Sequence, residues 1–254
     1  MILTSTHYTG PTNSGKTYHA LEALKNSNSG VYCAPLRLLA LEVYEKLNET
    51  LPAHLVTGDD RREEEQEAHH VACTMEMADL DTVRDVAVLD EIQMIGDPQR
   101  GWAWTRALLG IPAYDVHLCG SDAAVPIVTR LCEATGDHLE VKRYQRLVPL
   151  EVEKTSLKGD LADVQSGDCV VAFSRKELYK LKKEIERHTA KKCAIIYGSL
   201  PPDVRATQAK RFNNGEYEVL VASDAIGMGL NLHIRRVIFS AMEKYNGVEV
   251  IPFN

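Results

Sequence analysis

Two short stretches carry most of the chemistry this sequence can do: GPTNSGKT, from Gly10 to Thr17, and the acidic pair Asp90-Glu91 inside AVLDEIQ. The first fits the spacing GxxxxGK[ST] through Gly10, Pro11, Thr12, Asn13, Ser14, Gly15, Lys16 and Thr17. Its glycines let the backbone wrap with N–H groups pointing inward, and a helix opening at Lys16 adds positive partial charge. Such a loop cradles the phosphates of a nucleotide. Lys16 reaches the β- and γ-phosphates, and the Thr17 hydroxyl ligates Mg2+. A glycine-rich turn with a surface lysine is the plainer reading, but the run before the loop and the helical pattern after it are the context the motif requires.

Burying an unpaired carboxylate is costly, so an apolar run ending in two acids needs either a cation or an exit to solvent. In a phosphate-loop architecture, a strand ending in Asp lies beside the loop and holds Mg2+, which is the role of Asp90. Glu91 can accept a proton from an attacking water as general base. A nucleotide kinase needs no base for water, and the second half of the chain offers no acceptor lid, so the pair favours hydrolysis over transfer.

These residues need a sheet to hold them, and the chain supplies one. Short β-branched runs alternate with helical patterns, which predicts an α/β fold with mostly parallel sheets. Strands are expected at Ile2–His7, Gly30–Ala34, His54–Val56, Val71–Cys73, Val86–Asp90 and Val116–Cys119. Helices are expected at Lys16–Leu24, Arg37–Leu47, Trp102–Leu109 and Ala123–Glu133. A charged, extended stretch at about 138–165 marks a boundary, and the rhythm then resumes. We expect two domains, 1–144 and 145–254, the second incomplete because no helix follows the run Arg236–Ser240. Acidic DDRREEEQE reads as a solvated loop, and His69 and His70 beside it lack a ligand-spaced partner. Trp102 and Trp104 could stack on bases, but their spacing places at least one in the core.

The chain has 254 residues and a net charge of -7, so it lacks the global basic signature of a nucleic-acid or membrane-surface binder. A local groove can still be basic or use backbone amides and hydroxyls. Cys33, Cys73, Cys119, Cys132, Cys169 and Cys193 form no CxxC pair and sit mostly in apolar runs. That is the pattern of buried free thiols in a reducing compartment. No stretch reaches transmembrane length, and the N-terminus shows no targeting segment.

GPTNSGKT, VYCAPLRLLALEVYEKLN, CTMEM, AVLDEIQMIGDPQRGWAWTRALLG, IIYGSLPP and VASDAIGMGLNL together resemble the superfamily-two DExH-type helicases, and within them the RNA helicases of the mitochondrial degradosome. The resemblance implies two tandem RecA-like P-loop domains that close on ATP and Mg2+, with single-stranded or partly duplex RNA across both. It also implies a mitochondrial matrix location and an exoribonuclease partner. By matching position, Gln93 couples nucleotide state to interdomain contacts, and Gly120-Ser121 form the coupling motif. Pro35, Arg37, Thr57, Gly58 and Thr74 track the RNA backbone, and Ser174 and Arg175 enter the RNA-facing region. Ser223, Asp224, Gly227, Gly229 and Asn231 meet both RNA and nucleotide. Glycine, serine and threonine at strand ends offer N–H and hydroxyl donors to phosphates without a positive surface. Gly227 and Gly229 would permit close backbone approach, or simply serve a loop with unusual dihedrals.

The family's final motif, a glutamine followed by an arginine-rich stretch, is expected just past NGVEVIPFN, and the chain ends at Asn254 before it. Because those arginines would neutralise the transferring phosphate, the expectation is nucleotide binding with weak turnover. An ATP-gated RNA-binding scaffold without productive hydrolysis is the alternative.

Overall fold

In the strand Gly30–Ala34 every residue is buried, with Val31 and Cys33 on one face of the sheet and Tyr32 and Ala34 on the other. A strand buried on both faces must lie inside a sheet covered by helices on both sides. The computed structural model has that arrangement. It describes residues 4–63, 67–227, 230–245 and 249–252 and divides into two units, Met1–Leu150 and Glu151–Asn254.

The first unit holds β1 (Thr4–Thr9), α1 (Lys16–Lys25), β2 (Gly30–Ala34), α2 (Arg37–Asn48), β3 (Ala53–Val56) and β4 (Arg61–Arg62). It continues with β5 (His70–Thr74), β6 (Arg84–Leu89), α3 (Gly101–Gly110), β7 (Ala113–Gly120), α4 (Val125–Thr135) and β8 (His138–Arg143). The strands lie in the order β4-β3-β5-β2-β6-β7-β1-β8, all parallel except the β3–β4 pair. Side chains alternate along each strand, so α1 and α2 pack on one face with Val86 and Val88, and α3 and α4 on the other with Ala87 and Leu89. Every loop that leaves a parallel strand at its C-terminal end therefore emerges on one edge, where open α/β sheets bind ligands.

The second unit repeats the plan at smaller scale. It holds β9 (Asp168–Val171), α5 (Arg175–Thr189), β10 (Cys193–Ile196), α6 (Pro202–Asn213), β11 (Val219–Ala222) and β12 (Arg236–Phe239). The sheet is fully parallel in the order β10-β11-β9-β12, with α5 against one face and α6 against the other. The buried Asp168 at the start of β9 is held by Arg236 through contacts of 2.6 and 3.0 Å, a bidentate pair that ties β12 to the sheet. A short antiparallel pair, β13 (Glu243–Tyr245) and β14 (Val250–Pro252), follows.

The first unit runs to Leu150, and the charged stretch after α4 begins with an ordered strand. β8 is an edge strand paired with β1, and its alternating HLEVKR turns Leu139 towards the core and charges outward. His70 departs from the expected solvated loop. It is buried, its Nε2 lying 3.0 Å from Leu24 O and 3.3 Å from Ser27 Oγ. All six cysteines are free and buried. Among the described residues no helix is long and apolar enough to cross a membrane.

Candidate active site

The phosphate loop joins β1 to α1. Gly10 N–H donates to Gly120 O at 3.2 Å, and a Cβ on Gly10 would stand 2.6 Å from Tyr144 O, so only glycine fits there. Gly15 takes the left-handed conformation, φ 80°, at the N-cap of α1, and Asn13 takes it at φ 59°. A Cβ on Gly15 would meet nothing within 4 Å, so the loop is open where a ligand would enter. The Ser14 hydroxyl is buried with no hydrogen-bond partner, and the first turn of α1 carries no acidic residue. Lys16 Nζ rests on Pro11 O at 3.3 Å. An orphaned hydroxyl, a lysine held by one carbonyl and a helix N-terminus free of carboxylates together suit an anion with several oxygens.

Asp90 leaves the end of β6. Strand β7 lies between β6 and β1, and Asp90 at the end of β6 still feels the Lys16 charge of the loop. Asp90 is only 4% exposed. Tyr32 Oη donates to its Oδ2 at 2.6 Å, and Glu91 N–H donates to its Oδ1 at 2.9 Å. The backbone is fixed as well: Asp90 N–H donates to Cys33 O at 3.0 Å, and Trp104 Nε1 donates to Asp90 O at 2.9 Å. Burial pushes the Asp90 carboxyl up to about 6, opposed by the Tyr32 hydrogen bond, reinforced by the Glu91 charge and opposed again by Lys16.

Glu91 stands in left-handed backbone, φ 49° and ψ 49°, and its carboxylate accepts a hydrogen bond from Gln93 Nε2. The other end of that carboxamide, Oε1, accepts from Ser121 N–H at 3.0 Å. Gln93 thus bridges the acid to the end of β7, through a space a larger residue would close: a Cβ on Gly120 would lie 2.5 Å from Gln93 Oε1. The structure brings Glu91, Gln93, Gly120 and Ser121 into one contact set. Thr9 Oγ1 adds a second link by donating to Asp122 Oδ1 at 2.9 Å, and nothing local in the sequence signals that pair.

The residues expected to track RNA fall on the same edge, after the neighbouring strands β3, β5 and β2. Pro35 O accepts from Arg100 at 2.6 Å; that guanidinium also pairs with Glu76 at 2.8 Å and lies 5.4 Å from the Trp104 ring. Arg37 pairs with Asp59 at 3.3 Å and Asp60 at 3.9 Å. The buried Thr57 closes a turn, its hydroxyl accepting from Asp60 N–H at 3.0 Å, while Gly58 is exposed with open space around it. Thr74 precedes a short helical turn at Met75–Met77 and makes no side-chain cap bond there. Trp104 is fully buried and Trp102 is 56% exposed, so one of the two is core, as their spacing predicts.

In the second unit Ser174 caps α5, its Oγ accepting from Glu177 N–H at 3.2 Å, and the Arg175 guanidinium lies 5.0 Å from the Tyr197 ring. Ser223 Oγ accepts from Ala225 N–H at 3.2 Å, Asp224 pairs with Lys244 at 3.3 Å, and Asn231 O accepts from Asn213 at 2.8 Å. Ser174 and Ser223 follow the adjacent strands β9 and β11 and share one sheet edge. Gly227 is exposed, and Gly229 lies outside the described residues.

Residues 4–144 match the DEXQ-box helicase domain of Suv3, and residues 153–250 match the helicase conserved C-terminal domain. The chain is 53% identical over 249 residues to the DExH-box ATP-dependent RNA helicase DExH18, mitochondrial, of Arabidopsis thaliana, covering 97% of this chain and 32% of that protein. It is 51% identical over 243 residues to the ATP-dependent RNA helicase SUPV3L1, mitochondrial, of Gallus gallus, covering 93% and 30%. The chain therefore spans about a third of the length of these relatives. Among solved structures, the Mycobacterium smegmatis helicase Lhr bound to ssDNA and AMP-PNP aligns with a TM-score of 0.67 at 17% identity, over 94% of this chain and 40% of that one. An S. cerevisiae Dbp5 variant bound to RNA and ADP BeF3 aligns with a TM-score of 0.63 at 16% identity, over 94% and 71%. Likeness at such identity speaks for the tandem RecA-like fold alone. The Suv3 domain covers more than half of the chain, and its box is Asp90-Glu91-Ile92-Gln93; this chain belongs to the Suv3 family of DEXQ-box helicases.

Proposed function

We propose that this chain is the ATP-hydrolysing core of a mitochondrial RNA helicase, turning over ATP in response to RNA during RNA turnover. The observation that carries the reading is the Gln93 bridge between the Glu91 carboxylate and Ser121 N–H. It fixes a general base at the mouth of β6 and ties it to the neighbouring strand. Glu91 takes a proton from the attacking water, and Gln93 keeps the carboxylate aimed. Lys16 leaves Pro11 O for the phosphates, where its charge offsets the charge that develops on the leaving group. Asp90 and Thr17, both hard oxygen donors, would hold a Mg2+ shared with the phosphate oxygens. Bound there, that ion would neutralise charge on the transferring phosphate.

RNA contacts in the first unit fall to the strand ends that carry Pro35, Thr57, Gly58 and Thr74, and in the second unit, taken by itself, to those that carry Ser174 and Ser223. Backbone amides and small side chains supply the phosphate contacts there, which suits a chain of net charge -7. The names of its relatives support RNA as substrate and the mitochondrion as compartment. The degradosome resemblance adds an exoribonuclease partner.

The test is phosphate release from ATP with and without single-stranded RNA, for the parent and for Glu91→Gln. RNA should raise turnover in the parent. The variant should bind ATP as the parent does and lose about a hundredfold or more in rate, the range of a general base. Unchanged hydrolysis in the variant would remove Glu91 from this role, and RNA-independent turnover would remove RNA as the substrate.

A further inference from the structure

The chain segment that follows β8 passes across the outer side of the phosphate loop. Tyr144 N–H donates to Thr9 O at 2.8 Å, and Leu147 N–H donates to Asn13 O at 2.9 Å. Between them the Arg146 guanidinium donates to Thr12 O at 3.1 Å, while its Nε donates to Val148 O at 2.8 Å. At the other end, Tyr144 O fills the space beside Gly10 so closely that no side chain fits.

A loop that turns its amides inward turns carbonyls outward, where they accept from the protein or from water. Three successive carbonyls have a protein donor here. Pro11 O takes Lys16 Nζ, Thr12 O takes Arg146 and Asn13 O takes Leu147 N–H. Asn13 holds a positive φ, a conformation asparagine adopts more readily than other residues with a side chain, so the residue itself suits this turn of the loop. The Lys16 contact is lost when the lysine turns to a phosphate. The two donors from the strap then remain as the restraints on the loop's outer side.

We propose that Tyr144–Val148 is a working part of the nucleotide site and that Arg146 is a positioning residue. It holds Thr12 and Asn13 in the phosphate-binding shape without touching the nucleotide. This rests on the reading of Gly10–Thr17 as a phosphate loop.

The experiment is a calorimetric titration of ATP with Mg2+ into the parent, Lys16→Ala, Arg146→Ala and Arg146→Lys, with the thermal midpoint of each recorded without nucleotide. Arg146→Ala should weaken ATP binding about tenfold, the factor of one charge-assisted hydrogen bond. Arg146→Lys keeps a donor but not the fork that reaches both carbonyls, and should recover part of that loss. All midpoints should match the parent's. Parent-like affinity in Arg146→Ala, with binding abolished in Lys16→Ala, would overturn the strap and leave the loop standing. A lowered midpoint at unchanged affinity would also overturn it, because the arginine would then brace only the fold. Parent-like binding by Lys16→Ala would instead overturn the phosphate-loop reading itself.

Discussion

Tyr32 and Asp90 share a buried hydrogen bond of 2.6 Å from a phenol to a carboxylate. The Asp90 carboxyl still stands at about 6, above its ordinary 3.8, because burial outweighs that bond. A carboxyl raised on folding binds its proton more tightly in the folded chain. Its contribution is complete below about 4 and is lost as pH rises through about 6. In urea titrations, Asp90→Asn should therefore gain on the parent as pH rises from 4 to 6, by about 3 kcal/mol at the plateau. Tyr32→Phe removes a group that lowers this value. With Asp90 in its proposed Mg2+-holding role, the acid limb of ATP turnover should move to higher pH in that variant. An unmoved limb would separate the tyrosine from the chemistry.

His7 has the opposite sign in an overlapping window. It is fully buried in β1, neither ring nitrogen has a hydrogen-bond partner, and burial pushes it down to about 4 from 6.5. The unfolded chain then binds the extra proton, so stability is lost as pH falls from 6.5 through 4. His7→Leu should be more stable than the parent, and the gap should widen on acidification. Denaturant midpoints measured at pH 7 and pH 4 would show it; a gap independent of pH would mean that the imidazole is solvated in the folded chain.

Gly120→Ala is expected to act through its neighbour. The added methyl would stand 2.5 Å from Gln93 Oε1 and 2.7 Å from Ile92 Cγ2, so the carboxamide must leave Ser121 N–H. Hydrolysis should fall by about tenfold or more while ATP affinity holds, since aiming a base adds to rate and not to ground-state binding. Equal losses in both would point to a general collapse of the β7 end.

The two tryptophans should separate cleanly in thermal unfolding. Trp104 fills the core beneath Asp90 and donates to its carbonyl, so Trp104→Ala should cost about 3–5 kcal/mol. Trp102→Ala at an exposed helix position should stay within about 0.5 kcal/mol of the parent. If Trp102→Ala weakens single-stranded RNA binding at unchanged stability, the exposed indole is a stacking surface.

The phosphate loop and the acid pair are legible in the sequence because their chemistry is local: glycine, lysine and carboxylate at fixed spacing beside an apolar run. The doubly wound plan is legible for the same reason, since strands such as GVYCA are apolar on both faces. Contacts made at a distance are not. Ser121 N–H meets Gln93 across 28 positions, so the glutamine's role came only through resemblance. Arg146 reaches a backbone carbonyl 134 positions away, and a carbonyl leaves no mark in a residue pattern. β8 reads as a charged linker because an edge strand keeps only one side in the core. His70 reads as solvated because its neighbours in sequence are acidic, while its neighbours in space are Leu24 and Ser27.

Glu91 stands in left-handed backbone, where asparagine or glycine would rest more easily. Relieving that strain would be worth about 1 kcal/mol. Glu91→Asn should therefore melt later than the parent while losing about a hundredfold or more in hydrolysis, whereas Glu91→Gly gives back most of that gain through the freedom of its unfolded chain. At this position a screen for heat resistance would select against the carboxylate that the proposed hydrolysis needs.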